Sequence, residues 1–372
     1  MNANINTNNV VSISSAIDII KTSAKTIIND PELANTIPPI MLRGAPGVGK
    51  STIVRKIADE LGIGFIDIRL AEMERVDIAG LPSVENGSTK WNVPSFLPTD
   101  NNSKGIILLD EITSAPGDVQ VAAYQIVLDR KISNSNYKLP NGWFIVAAGN
   151  RSIDRAVVKS MSSALANRFI HLEIEANSEE WATWATQNNV HPSVTGYIQY
   201  RPQSLFHMEG ENLEQGWPSP RSWERVSSLI PLFNENEEVL RKVVYGAVGS
   251  SVGVEFMEFH RLNKKMDYVL EWLTNPKVDI NIPTKADELY ACCSALAYLV
   301  WSGENENDDK TRLDGLYRVL MKLQPDFATM LVKMVMVGNK RVSKMNASMM
   351  VINHKKYKEY KEFSEKYHNY NK

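Results

Sequence analysis

The run Gly44-Ala45-Pro46-Gly47-Val48-Gly49-Lys50-Ser51 constrains this chain more than any other feature, because it fits the pattern G-x-x-x-x-G-K-[ST]. Such a run works only between a strand and a helix, and the sequence supplies both. Ile40-Met41-Leu42 reads as a short buried strand, and Lys50 to Leu61 spaces its apolar residues at a helical period. The glycines let the backbone fold into a nest whose N–H groups converge on one anion. The helix that starts at Lys50 adds the positive end of its dipole. Lys50 offers a mobile charge to β- and γ-phosphates, and Ser51 offers a hydroxyl to Mg²⁺. Gly44, Ala45, Pro46, Gly47, Val48, Gly49, Lys50, Ser51 and Thr52 are therefore the candidate nucleotide-binding residues of the loop.

Around this loop strands alternate with helices. Strands are predicted at 40–42, 65–70, 106–109, 143–148 and 169–174, and helices at 10–29, 50–61 and 118–129. That alternation predicts an α/β domain over residues 1–176, with a parallel five-stranded sheet flanked by helices and a frayed polar start at 1–9. Beyond Ala176 the strand signal vanishes. Helices are predicted at 178–187, 221–229, 237–248, 253–262 and 286–301, and proline pairs such as His191-Pro192 and Ser219-Pro220 punctuate them. Gly303 to Lys310 reads as a polar, acidic turn and a boundary. The expected organisation is thus an all-α lid at 177–302 and a helical C-terminal extension at 303–372, with no internal repeat.

Two further strand ends carry chemistry. Ile106-Ile107-Leu108-Leu109-Asp110-Glu111 is an apolar strand closed by two carboxylates, the Walker B arrangement. Ligands of open α/β sheets bind at such C-terminal strand ends. Asp110 is expected to join Ser51 in holding Mg²⁺, and Glu111 to polarise the attacking water. Neighbouring strand residues face opposite ways, so the two acids take different roles. Trp143 to Ala148 is a second central strand, and it leads through Gly149 to Asn150, whose amide can bond the water or the γ-phosphate without adding charge.

Composition removes several classes of function. Lys+Arg is 41 and Asp+Glu 43, a formal net charge of −2, which is not the balance of a protein held on nucleic acid by bulk charge. The cysteines, Cys292 and Cys293, are adjacent and make no disulfide framework, which suits a reducing cytoplasm. No apolar run reaches the roughly eighteen residues of a bilayer span, and Met1 to Asn9 has neither the charge nor the apolar stretch of a signal peptide.

Taken in order, the phosphate loop, the Asp-Glu strand end and the strand-terminal Asn resemble the AAA+ ATPases, and the details resemble the MoxR branch, close to the midasin-type modules. Asp77 to Pro82, the Gly-containing hairpin from Val84 to Trp91 and Pro94 to Pro98 are similar to the hairpin that this branch inserts in its second helix. Ala164-Leu165-Ala166-Asn167-Arg168-Phe169 resembles the segment carrying the arginine finger, and Ser219-Pro220-Arg221 the sensor 2 motif of the lid. The resemblance covers roughly residues 35 to 235. It implies Mg²⁺-dependent ATP hydrolysis in a homo-oligomeric ring, usually a hexamer, with Glu111, Asn150 and Arg168 as catalytic residues. Arg168 would reach the next subunit's γ-phosphate, and Arg221 would contact phosphate from the lid. Arg151 and Arg155 are further candidates for a trans cation.

A protein client, with a von Willebrand A-type partner as the family often has, is likewise implied by the resemblance. The resemblance would also put the hairpin tip Glu85-Asn86-Gly87-Ser88 and the loop from Ser133 to Tyr137 at the family's ring pore or ring face; the alternative is two plain surface hairpins, and for Ser133 to Tyr137 it is the favoured reading. Neither has the aromatic tip of a chain threader, which argues for remodelling. The rival readings are a nucleic-acid-associated AAA+ loader or helicase accessory and a nucleotide-gated assembly module with negligible turnover. Net charge counts against the first, and the intact acid pair counts against the second.

Overall fold

The computed structural model describes residues 9–132, 135–154, 159, 161–208, 215–266 and 268–370. It divides into two compact units, Met1–Glu175 and Ala176–Lys372.

In the first unit, Val10–Val11 forms β1 and the helix begins only afterwards, α1 at Ile13–Asn29. The Ser12 side chain accepts a hydrogen bond from the Ser15 N–H and stops the helix from running back. Ala16, Ile20, Ala24 and Ile27 are its buried stripe. Then come β2 (Ile40–Arg43), α2 (Lys50–Leu61), β3 (Gly64–Arg69), α3 (Arg75–Ala79), β4 (Leu81–Glu85), β5 (Ser88–Asn92), β6 (Gly105–Asp110), α4 (Gly117–Asp129), β7 (Trp143–Gly149), α5 (Ser163–Ala166) and β8 (Ile170–Ile174).

The main sheet has six strands in the order β1-β8-β2-β7-β6-β3, paired in parallel throughout. All five expected strands are there. The sixth, β1, is a two-residue addition pairing Val10 with Glu173 and Val11 with Ile174, in a stretch where the apolar spacing had predicted helix. β6 and β7 are buried on both faces, which explains their continuous apolar runs. β4 and β5 form a separate antiparallel hairpin. Its turn residues, Asn86 and Gly87, both have positive φ (51° and 73°), as a two-residue hairpin turn requires.

The second unit contains only helices among its described residues: α6 (Ser178–Gln187), α7 (Pro192–Tyr200), α8 (Pro220–Phe233), α9 (Glu237–Val248), α10 (Ser250–Lys264), α11 (Val269–Thr274), α12 (Ala286–Val300), α13 (Glu306–Leu320), α14 (Pro325–Met336), α15 (Lys344–Ile352) and α16 (Tyr357–Tyr370). One continuous core runs from Trp181 to Tyr360 and joins helices on both sides of residue 303. The acidic stretch expected as a turn is largely the start of α13. Asn305 caps it, and Glu306, Asp308 and Asp309 fill its first turn, where negative charge meets the positive end of the helix dipole.

Candidate nucleotide site

The loop between β2 and α2 is built for close backbone approach. A Cβ on Gly44 would lie 2.5 Å from the Ile174 carbonyl oxygen. Gly47 and Gly49 take φ values of 81° and 98°, a region that side chains disfavour. Ala45 and Val48 face inward and are buried, which pins the loop to the sheet. Gly49 caps α2, so Lys50 and Ser51 open the helix and Thr52 sits exposed in its first turn.

The strand ends converge on this loop. Lys50 Nζ, on a residue only 8% exposed, donates to the carbonyl oxygens of Gly44 (2.8 Å) and Ala45 (3.0 Å) and to Asn150 Oδ1 (3.0 Å). Ser51 Oγ donates to Asp110 Oδ2 at 2.5 Å. Asn150 is fixed in turn by Thr113, whose hydroxyl oxygen accepts from the Asn150 N–H at 3.0 Å. Five expected site residues, Lys50, Ser51, Asp110, Glu111 and Asn150, thus gather at one edge of the sheet.

Asp110 and Glu111 diverge for a reason other than strand alternation. β6 stops at Asp110, and Glu111 turns into the left-handed region, with φ of 56°. Its N–H donates back to Asp110 Oδ1 at 2.9 Å, and its side chain is exposed. A non-glycine residue in this conformation is strained, and such strain concentrates at functional sites.

The donor set suits Mg²⁺. That ion keeps several waters and takes one or two protein oxygens beside phosphate oxygens. Ser51 and Asp110 offer such a pair, already within hydrogen-bond distance of each other. The described residues hold no cluster of three or more His, Cys, Asp or Glu that would form an all-protein metal cage.

One neighbour was not singled out by sequence. Asp67 lies in the middle of β3, with Oδ1 buried and unpartnered and Arg55 3.6 Å from the other oxygen. Burial, and then the charge of Asp110, raise its carboxyl above the usual range. An acid inside the apolar run Phe65-Ile66-Asp67-Ile68 is the signal that could have found it. Arg151, a candidate trans cation, bonds acids of its own unit instead: Asp154 (2.9 Å), Glu173 (2.9 Å) and Glu175 (3.2 Å). The hydrogen bond to Asp154 is the largest cause holding its guanidinium above the ordinary value, against the effect of burial. Arg155 lies outside the described residues, as do residues 133 and 134 of the loop before β7.

Arg168 stands elsewhere. β8 runs parallel to β2 with Ile170 opposite Ile40, so Arg168 lies at the edge where the strands begin, opposite the phosphate loop. It is exposed and borders a cavity of about 300 Å³ with Asn167, Pro38 and Arg130. Arg221 belongs to the second unit, in the first turn of α8, which Ser219 caps by accepting from the Ser222 N–H at 3.2 Å. Its side chain is exposed.

Sheet order, phosphate loop and strand-end acids make the first unit a phosphate-loop α/β domain. Residues 39–169 match the family model of the AAA domain, dynein-related subfamily. Among curated relatives, a Lon protease of Rickettsia felis is 28% identical over 149 residues, 37% of this chain and 19% of that protein. A midasin of Giardia intestinalis is 30% identical over 159 residues, 40% of this chain and 3% of that protein. The chain therefore spans about a fifth or less of the relatives it matches. Among solved structures, a RuvB mutant of Thermotoga maritima is 17% identical with a TM-score of 0.38, covering 68% of this chain and 76% of that one.

Proposed function

We propose that the chain is a Mg²⁺-dependent ATP hydrolase that acts as a homo-oligomeric ring, a hexamer, and remodels or activates a partner protein in the manner of MoxR-type AAA+ ATPases. The observation that carries this reading is the pair of bonds Lys50–Asn150 and Ser51–Asp110, which tie the loop to two strand ends. The backbone N–H groups of residues 47 to 51 bind the phosphates, and Lys50 exchanges its carbonyl partners for β- and γ-phosphate oxygens. Ser51 and Asp110 would hold Mg²⁺, which when bound neutralises charge between those phosphates. Glu111, exposed beside them, orients and polarises the attacking water, and Asn150 fixes it from the other side. Arg168 acts on the next subunit's nucleotide, and Arg221 reports nucleotide state to the helical unit. The client is a protein, with a von Willebrand A-type partner as one candidate, and the place of work is the cytoplasm. A net charge of −2 supports a protein client over nucleic acid, and no described helix is long and apolar enough to cross a membrane.

Phosphate release and nucleotide binding, measured together, test the assignment. Lys50→Ala is expected to lose both. Glu111→Gln is expected to keep ATP binding and lose hydrolysis by about 10²–10⁴, since an amide cannot accept the water's proton. Wild-type turnover in Glu111→Gln would remove Glu111 from the reaction.

A further inference from the structure

Three large apolar side chains share one exposed face of α15. Met345, Met349 and Ile352 are 72%, 50% and 46% exposed, at the spacing i, i+4, i+7 that stacks side chains on one side of a helix. The other face of this nine-residue helix is anchored, with Ala347 and Val351 buried in the core of the second unit. Beside the stripe runs a groove of about 760 Å³, lined by Asn346, Met349 and Met350 on one wall and by Leu313 and Asp314 of α13 on the other. Single exposed apolar residues are ordinary, but a contiguous apolar face beside a groove marks an interaction surface.

The segment that carries α15 is basic. The whole chain is at −2, yet Phe327 to Lys358 carries seven Lys and Arg and no Asp or Glu. The acids that reach the groove come from α13 and are already paired: Asp309 with Arg341, Glu306 with Lys310, and Asp314 with Lys355 and His354. Lys340, Lys344 and Lys358 are exposed and make no ion pair among the described residues.

We propose that α15 and its groove receive an acidic amphipathic helix of another protein. The apolar residues of that helix, at i, i+4 and i+7, lie on Met345, Met349 and Ile352, and its flanking Asp and Glu meet Lys340, Lys344 and Lys358. Methionine suits this use because its unbranched, polarizable side chain adapts to the shape it meets. The stripe has no aromatic on which a nucleic-acid base would stack. A concave groove beside a short helix fits another helix better than it fits a flat bilayer. This surface is separate from the nucleotide site, so the proposal goes beyond the reading above.

The test uses the full chain and a fluorescein-labelled synthetic peptide of about 18 residues, long enough to hold a helix, with Leu on one face and Glu on its flanks. Its anisotropy is expected to rise saturably with protein. Met345→Glu/Met349→Glu should weaken binding by about tenfold or more, the loss expected for buried anchors. Lys340→Glu/Lys344→Glu should weaken it and flatten its salt dependence. Both variants change only exposed residues, so their melting temperatures and ATP turnover should equal the parent's. The proposal is overturned by the absence of saturable binding, by equal binding of a scrambled peptide, or by unchanged affinity in both variants. Binding of single-stranded DNA or phosphatidylserine vesicles in place of the peptide also overturns it. Any of these results alongside normal, Glu111-dependent turnover would leave the ATPase reading standing.

Discussion

Arg151 shows how far chemistry at a single residue can be read from sequence. An Arg directly after the strand-terminal Asn is compatible with a role in trans. In this chain its partners are acids of its own unit, and Glu173 and Glu175 sit more than twenty residues away, where no local pattern links them. The guanidinium and Asp154 are largely enclosed, at 15% and 5% side-chain exposure. Arg151→Ala should therefore destabilise the first unit by on the order of 3 kcal/mol, the loss typical when one partner of an enclosed pair is removed. Thermal unfolding should record the fall, and mixing with Lys50→Ala should not restore ATP turnover. A variant as stable as the parent would show the network to be idle. Lys50, Ser51, Asp110 and Asn150 were legible for the opposite reason. Phosphate binding demands particular residue types at fixed spacing on strand ends, so the chemistry is written locally.

Among the elements, those with strong period or clear caps were legible, and those made by packing were not. α7 is the clearest omission. Ser193-Val194-Thr195-Gly196-Tyr197-Ile198 is poor helix material by propensity, yet all six residues are buried. Gly196 is there because a Cβ would run into the Ser294 side chain of α12. Gly196→Ala, favourable in an isolated helix, is expected to cost about 1–3 kcal/mol here through overpacking. A denaturant midpoint at or above the parent's would contradict that contact. β1 was missed because two residues do not make a period, and α15 because its few buried positions mark no stripe.

The start of α7 also carries a pH dependence. His191 accepts from the Ser193 N–H at 3.2 Å, and Ser193 Oγ lies 2.9 Å from Nδ1 of His260 on α10. Burial drives both imidazoles down to about 4, and their proximity adds to the effect on His191. Both are therefore neutral in the folded chain down to about pH 4, whereas the unfolded chain protonates them near 6.5. Their contribution to stability is complete above pH 6.5 and drains away as pH falls from there towards 4. Urea midpoints followed by tryptophan fluorescence can record this, since Trp91 and Trp143 alone of the eight tryptophans lie outside the second unit. His260→Gln should flatten the slope in that window, and an unchanged slope would exclude His260 as its source.

For the whole molecule, the decisive feature is that the candidate site residues of one chain lie at opposite edges of its sheet. Lys50, Ser51, Asp110 and Asn150 follow the strands, whereas Arg168 precedes β8. Strands of typical length hold such edges roughly 17–20 Å apart, beyond the reach of one side chain. Under the proposed trans role, Arg168→Ala and Lys50→Ala are each expected to be nearly inactive, the first by about 10³–10⁵. Mixed, they should regain turnover at interfaces that pair an intact loop with an intact finger. Co-assembled mixtures as inactive as their components would end the trans assignment. On this reading, turnover belongs to the encounter of two chains and to neither alone. Dilution then acts as an off-switch: below the concentration at which neighbours meet, ATP is held but not cleaved, and the amount of protein made sets the threshold for work.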